Sequence, residues 1–477
     1  MRIKFLLFIA SFFMVSVVIT SCLDDDNNIE YSPDATIHAF ELDTIGYGRT
    51  YKFTIDQLQG LIYNEDSLPV HADTIIDRIL IKTLSTASGL VTMKDKAGQD
   101  SLININDSID FSKYINAPEE NDYFKIKVWS QDMLNTKEYK ISIRVHHLDP
   151  DSLNWGNGKN EQPAAFTTGF SNGQITGKQK AVILKGEIFV YSISNNNLIA
   201  YKTATSDGKT WGEVNNIVGL PTIAEADLSS IIQYNGNLYM VADNNIYWSK
   251  DGATWALHKL LNRNSLKIAT LLTGIQPDPD NANIKKAGIS AIASSDNGTT
   301  YCFCMTDENA TYWEMGDELH SDFPTRNIST TVGFSATNVP FIISMGTIIA
   351  REDNSENEEA TQPIVPWSSY DGLSWIKLPA PSSYCPMLNA PSVITYNEDF
   401  YVFGNDFEVF YTSPSGITWE EASKKFYFPK GLTERAGANY SIVIDDNQFI
   451  WIICSNDATG TDDIWRGRLN KLGFDKK

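Results

Sequence analysis

The chain has 477 residues, 42% of them hydrophobic and 12% aromatic, with a formal net charge of −21. That length divides into two or three domains, and the apolar content is ample for a sizeable core rich in strand-forming Tyr, Phe and Trp. The acidic balance argues against nucleic acid as a partner, because a polyanion requires a basic footprint.

Arg2 and Lys4 precede an apolar run from Phe5 to Val18, then Ile19-Thr20-Ser21-Cys22. A charged start, an apolar middle and a small-residue junction describe a signal peptide over residues 1–21. The alternative, a transmembrane anchor, has an apolar run that is short for a bilayer. The cysteine at the junction resembles a bacterial lipobox. That resemblance implies cleavage before Cys22, acylation of its sulfur and new amine, and anchoring without a spanning helix. Leu23-Asp24-Asp25-Asp26 resembles the acidic export signal behind the lipidated cysteine of Bacteroidetes lipoproteins. It implies display on the cell-surface side of the outer membrane. The alternative is a plain solvated tether, over residues 22–33, that leaves the chain on the periplasmic face.

From residue 34 to 149 the sequence alternates in strand fashion, at Thr36–Leu42, Tyr51–Ile55, Ile75–Thr83, Leu90–Lys94, Phe124–Trp129 and Tyr139–Val145. Turn residues separate these runs and no helical period appears, which predicts a β-sandwich. The last two runs resemble the closing hairpin of immunoglobulin- or cadherin-like modules. Phe124, Ile126, Val128, Ile141 and Ile143 are expected inside, with Lys125, Lys127, Lys140, Ser142 and Arg144 in water. His146 and His147 are adjacent on an extended run and point apart, so no shared metal is expected, and the scattered acids make no calcium site.

Residues 150–472 are organised by a heptad that recurs between β-rich runs: Thr205-Ser206-Asp207-Gly208-Lys209-Thr210-Trp211, Ser249-Lys250-Asp251-Gly252-Ala253-Thr254-Trp255 and Ser369-Tyr370-Asp371-Gly372-Leu373-Ser374-Trp375. Ser413-Pro414-Ser415-Gly416-Ile417-Thr418-Trp419 is a weaker copy, and Asp307 to Trp313 a degenerate one. Each is a tight turn. The Asp accepts backbone N–H groups, the Gly takes positive φ, and the Trp pins the next strand. The clearest unit, Ser229 to His258, reads as four antiparallel strands, and this ruler predicts a six-bladed β-propeller. A seventh blade would require splitting an insertion differently. The sixth blade, from Tyr440, has three strands before the chain ends. Its fourth is assigned to the other end, near Asp151-Ser152-Leu153-Asn154-Trp155, which closes the ring.

The heptads resemble the Asp-box (BNR) turn of sialidases, one residue shorter, and the blades are kelch-like. Ser294 to Tyr301 has the longer spacing but falls between second and third strands, and is read as a coincidental hairpin. Taken end to end, an all-β lipoprotein with a sandwich and this propeller resembles the DUF6242 family, a resemblance that implies no activity.

Four cysteines, Cys302, Cys304, Cys385 and Cys454, fall in or beside strands and are expected as thiols, with a disulfide as the alternative. No cofactor or metal is expected. Asp207, Asp251 and Asp371 are expected to be structural. Ligands are expected at the opposite end, where the inner strands begin near Lys178, Lys180, Asp227, Lys267, Arg326, Asn389 and Arg435. The turns there repeat amides and acids: Asn195-Asn196-Asn197, Asp243-Asn244-Asn245, Asn405-Asp406 and Asn456-Asp457. These groups suit sugar hydroxyls, although Asn and Asp are also plain turn formers. Trp248, Trp367 and Trp465 would stack on sugars if exposed and fill the core if not. The sialidase Arg-Ile-Pro signature is missing, histidines for copper are scarce, and no carboxylate pair is singled out. The expected function is a non-catalytic envelope lipoprotein binding a glycan or protein. The alternatives are a glycoside-processing enzyme and a structural subunit of an outer-membrane complex.

Overall fold

The computed structural model describes residues 30–470 apart from 46–49, 70–71, 73–75, 96–97, 117–122, 147–149, 156–164, 171–174, 264–265, 296–297, 348–364, 379–385 and 456–461. The signal peptide, Cys22 and the aspartates behind it lie outside the described residues. The chain forms two compact units, residues 1–147 and 148–477. Strands dominate both, with a few short helical turns such as Glu225–Ser230 and Lys430–Thr433.

In the first unit Ile37–Leu42 pairs antiparallel with Ile81–Thr86. A six-stranded sheet runs in the order Phe53–Asp56, Leu61–Asn64, Thr136–Ser142, Phe124–Trp129, Val91–Lys94, Asp100–Leu102. Leu61–Asn64 and Thr136–Ser142 are parallel neighbours. The closing hairpin alternates as its pattern requires: Ile126, Val128, Tyr139, Ile141 and Ile143 are buried in one core with Ile37, Ile62 and Phe111. The strand expected from Ile75 begins instead at Ile81. Ile76 is buried from a helical position, its N–H bonded to Ala72 O, and Ile79 from an isolated antiparallel bridge with Ile109, so this apolar run is not one continuous strand.

Among the described residues the second unit forms six antiparallel sheets in succession. Five have four strands each, in chain order. The first is Gln179–Leu184, Glu187–Ser194, Asn197–Ala204 and Gly212–Glu213. The second is Ile232–Tyr234, Asn237–Ala242, Asn245–Ser249 and Trp255–Leu257. The third is Lys267–Ile275, Gly288–Ser294, Tyr301–Thr306 and Trp313–Glu318. The fourth is Arg326–Phe334, Pro340–Thr347, Trp367–Ser369 and Ile376–Lys377, and the fifth Ser392–Tyr396, Asp399–Phe403, Tyr411–Ser413 and Glu420–Glu421. Tyr440–Ile444, Ile450–Cys454 and Asp463–Asn470 make the sixth, and two segments from the start of the unit complete it. Ser152–Trp155 lies along the last strand with Trp155 opposite Gly467, and Thr167–Thr168 pairs with Ile464 and Asp463.

The opening strands of neighbouring sheets adjoin, from the first sheet through to the fifth, and that of the sixth adjoins that of the first. Hydroxyls and amides stitch these inner strands together. Thr330 donates to Leu272 O at 2.6 Å, Thr331 and Thr395 share a 2.9 Å bond, Ser392 meets Tyr440 at 2.6 Å, and Gln179 donates to Ile453 O at 2.8 Å. Aromatic and aliphatic clusters fill the spaces between sheets. One joins Tyr396, Phe403 and Phe410 of the fifth to Ile450, Ile452 and Trp465 of the sixth, with Trp155 packed among them. Burial of such rings, at about 25 cal/mol per Å² of apolar surface, is the main force holding neighbouring sheets together.

Candidate functional site

At each heptad the third strand of a sheet turns into the fourth. Asp251 Oδ1 accepts the N–H groups of Ala253 and Thr254 at 2.9 and 2.7 Å, and Asp371 Oδ1 those of Leu373 and Ser374, both at 2.9 Å. Asp207 accepts Thr210 N–H at 3.0 Å. In the degenerate copy Asp307 takes the N–H of Tyr312 at 3.0 Å and the hydroxyl of Thr311 at 2.7 Å. Burial pushes the Asp251 carboxyl up, but the hydrogen bonds from Thr254, Ala253 and Ser249 outweigh it and hold the group below the usual carboxylate range. The opening serine was not assigned a role by sequence reasoning. Its hydroxyl accepts the glycine N–H at 2.9 Å in Ser249 and Ser369 and at 2.8 Å in Ser413. A repeated serine two residues before the Asp was the available signal.

Each turn glycine is pressed against the preceding sheet. A Cβ on Gly208 would stand 2.1 Å from the Trp451 ring, on Gly252 2.6 Å from Phe189, on Gly372 2.6 Å from Met305 Sδ, and on Gly416 2.0 Å from Ile343. All four have φ between 68° and 80°. The indoles fold back over the same turns: Trp211, Trp375 and Trp419 donate to the carbonyls of Gly208, Gly372 and Gly416. Trp255 is buried against Tyr191 instead. The three aspartates stand on three different sheets and do not converge.

The opposite end carries the starts of the inner strands and the turns between second and third strands. Backbone bonds tie them together there: Ile268 N–H reaches Asn244 O at 3.1 Å, Asn405 N–H reaches Asn389 O at 3.0 Å, and Gly437 N–H reaches Asn405 O at 2.9 Å. Lys178, Asp243, Asn244, Lys267, Arg326 and Asn389 are exposed; Asp227, Asn405 and Asp406 are partly so. Asn456 and Asp457 lie outside the described residues. Asp227 Oδ2 accepts Ala224 N–H at 2.9 Å, closing the first turn of the short helix. Burial, with Asp243 adding to it, pushes its carboxyl above the usual range.

Arg435, expected on the ligand face, is buried instead. It is only 2% exposed, it donates to Ser455 O, and its Nε lies 3.3 Å from Asp463 Oδ2. A cation held this way braces the sixth sheet and offers no surface to a ligand. Trp367 and Trp465 are likewise buried, and Trp248 lies half-buried beside His258. Arg466 is stacked over Phe166, 3.7 Å from its centroid, and Arg468 lies over Phe449. Among the described residues no three His, Cys, Asp or Glu side chains form a metal-sized group. The first unit holds a groove of about 530 Å³ that sequence reasoning missed, lined in part by Tyr63, Tyr123, Arg144 and His146; its residues come from distant positions and leave no motif.

Six successive four-stranded or comparable sheets with adjoining inner strands define a beta propeller domain. The chain belongs to the DUF6242 family: residues 149–477 match its beta propeller domain and residues 24–143 its N-terminal domain, a domain of unknown function. None of the curated proteins matches the sequence. Among solved structures the chain is similar to an alpha-L-arabinanase of Penicillium chrysogenum, at 14% identity over 65% of this chain and 100% of that one, TM-score 0.35. An alpha-L-arabinofuranosidase of Fusarium graminearum is 12% identical over 63% of this chain and 95% of its own, TM-score 0.37. The Aleuria aurantia lectin is 13% identical over 64% and 99%, TM-score 0.31.

Proposed function

We propose that this chain is a lipoprotein anchored through Cys22 to the outer membrane, facing the cell surface. Its second unit is a six-bladed ring that binds a glycan or protein where the inner strands begin. Its first unit is an immunoglobulin-like spacer, a reading supported by two separate sheets that share one core, in which Ile37 and Ile81 of one meet Ile126 and Ile141 of the other. The observation that carries the binding role is the convergence at one end of exposed cations and amides, Lys178, Lys267, Arg326, Asn244 and Asn389, while the heptad turns at the other end are occupied by neighbouring sheets. Glycan-array binding by the soluble chain from Asp34 onward tests this. Saturable binding weakened by Lys267→Met or Arg326→Met is expected, and a blank array together with no captured surface protein would end the reading. Cys22→Ala is expected to release the protein from the membrane fraction, and protease added to intact cells is expected to cut the wild type.

One observation favours a second reading, a glycoside-processing enzyme. Asp227 is a carboxyl raised by burial, with the charge of Asp243 adding to the effect, as a general acid would require. Turnover of a bound glycan that Asp227→Asn abolishes would decide for it.

A further inference from the structure

The six inner strands contain no Asp or Glu, in a chain with 59 of them. Their only charged residues are Lys180, Lys267 and Arg326, and Lys178 stands one position before the first strand. Strand interiors are poor in charge of either sign, so depletion by burial would remove lysines along with acids. The other strands of the same sheets do keep acids, among them Glu187, Glu314, Asp399 and Asp463. The asymmetry is therefore confined to the inner wall. Around it stand side-chain hydroxyls and amides, including Gln233, Thr270, Thr273 and Ser329, all partly exposed.

Lys180 is the least exposed of these cations. Protein surrounds it closely enough that burial pushes its ammonium below the usual lysine range, yet the side chain keeps some accessible surface. Its strand is the first of the adjoining inner strands, and Lys178, two residues before Lys180, is exposed. Among the described residues no carboxylate lies within ion-pair distance of Lys178, Lys180, Lys267 or Arg326, although exposed lysines elsewhere, such as Lys94 and Lys377, have such partners. An ammonium taken from water without a counter-charge is unfavourable unless an anion supplies one.

We infer that the region where the inner strands adjoin, at the end where they begin, is an anion site. Lys180 is its inner cation and Lys267 and Arg326 stand at its edge, and it takes the carboxylate or sulfate of an acidic saccharide. This rests on the ring and binding-face reading above and narrows it to a ligand class. Confined positive charge also draws such a ligand past an otherwise acidic surface.

The test is calorimetric titration of the soluble chain from Asp34 at fixed ionic strength. The probes are trigalacturonic acid, its neutral methyl ester, and sodium sulfate. The wild type is expected to bind the acid or sulfate, with the ester weaker by roughly 10–100-fold, the value of one charge-assisted hydrogen bond. Lys180→Met is expected to lose the same factor, Lys180→Arg to retain binding, and Lys424→Met, on the exposed outer side, to change nothing. Lys180→Met is also expected to melt no lower than wild type, since it removes a lone desolvated charge; this readout separates lost binding from lost fold. Binding to both anions that ignores Lys180→Met, or wild type that binds neither, overturns the inference. If neutral array glycans still bind in that case, the binding face survives and only the anion site falls.

Discussion

The phenol of Tyr191 donates a 2.7 Å hydrogen bond to the carbonyl of Gly252, one sheet onward, and the same glycine has no room for a Cβ against Tyr191 and Phe189. Tyr234 repeats the bond to Glu308 O in the degenerate turn of the third sheet, also at 2.7 Å. The heptad is thus a joint between sheets as well as a turn within one. Tyr191→Phe is expected to destabilise the second unit by about 1–3 kcal/mol, because a buried carbonyl loses its partner. Gly252→Ala is expected to be worse, since it adds a clash to an unfavourable φ, whereas Gly186→Ala meets open space and bears only the φ term. Urea unfolding of the three variants checks the order. Equal losses for Gly252→Ala and Gly186→Ala would refute the joint.

Arg435 is buried and pairs with the partly buried Asp463. Removing only the cation leaves Asp463 desolvated without its partner, so Arg435→Met is expected to lose about 3–5 kcal/mol. A double variant with Asp463→Asn is expected to recover part of that loss. A double-mutant cycle in urea measures the coupling; additive losses would show that the pair does not interact.

Acid should loosen the heptad turns. Asp207 is held low chiefly by its hydrogen bonds with Thr210, and Asp251 and Asp307 are held low by donors that outweigh burial. Depressed folded-state values contribute stability above the unfolded value, about 3.9, and that contribution disappears as pH falls through the folded one. Asp463, raised by burial against the opposing pull of Arg435, runs the other way and contributes below about 3.9. Asp251→Asn is therefore expected to be less stable than wild type at pH 6, with the gap narrowing below about pH 4. A gap of constant size across that range would contradict the assignment.

Burial pushes the Cys304 thiol up, and the Cys454 thiol to about 12. Both lack a disulfide and neither is accessible. N-ethylmaleimide with peptide mapping is expected to leave both unmodified in the folded protein and to label both in urea, since only an exposed thiolate reacts. Native labelling at either site would show that its sheet opens.

Much of the architecture is legible from period-two alternation and from Asp-Gly turns spaced between strands. Ile126, Val128, Ile141 and Ile143 could be assigned to an interior from the pattern alone, because pleating leaves one face for them. What stayed hidden was every relation between sheets. Nothing local to Gly252 announces Phe189, and nothing near Thr167 announces Ile464. The candidate face was harder still. Arg435 and Lys267 both stand near the start of an inner strand in the sequence, one beside a partly buried carboxylate and the other in solvent, and only the fold tells them apart. The groove beside Tyr63 and Arg144 draws on residues eighty positions apart and has no linear trace.

The sixth sheet is assembled from both extremities of its unit, with Trp155 lying against Gly467 and its indole donating to Tyr427 O at 2.7 Å. A chain made in order from its N-terminus must keep Ser152–Trp155 waiting until more than three hundred further residues have been added, since its partner strand is Asp463–Asn470. Synthesis would then deliver five finished sheets before the clasp can shut, and a chain shortened by its last dozen residues would present an open seam to every protease and chaperone it meets.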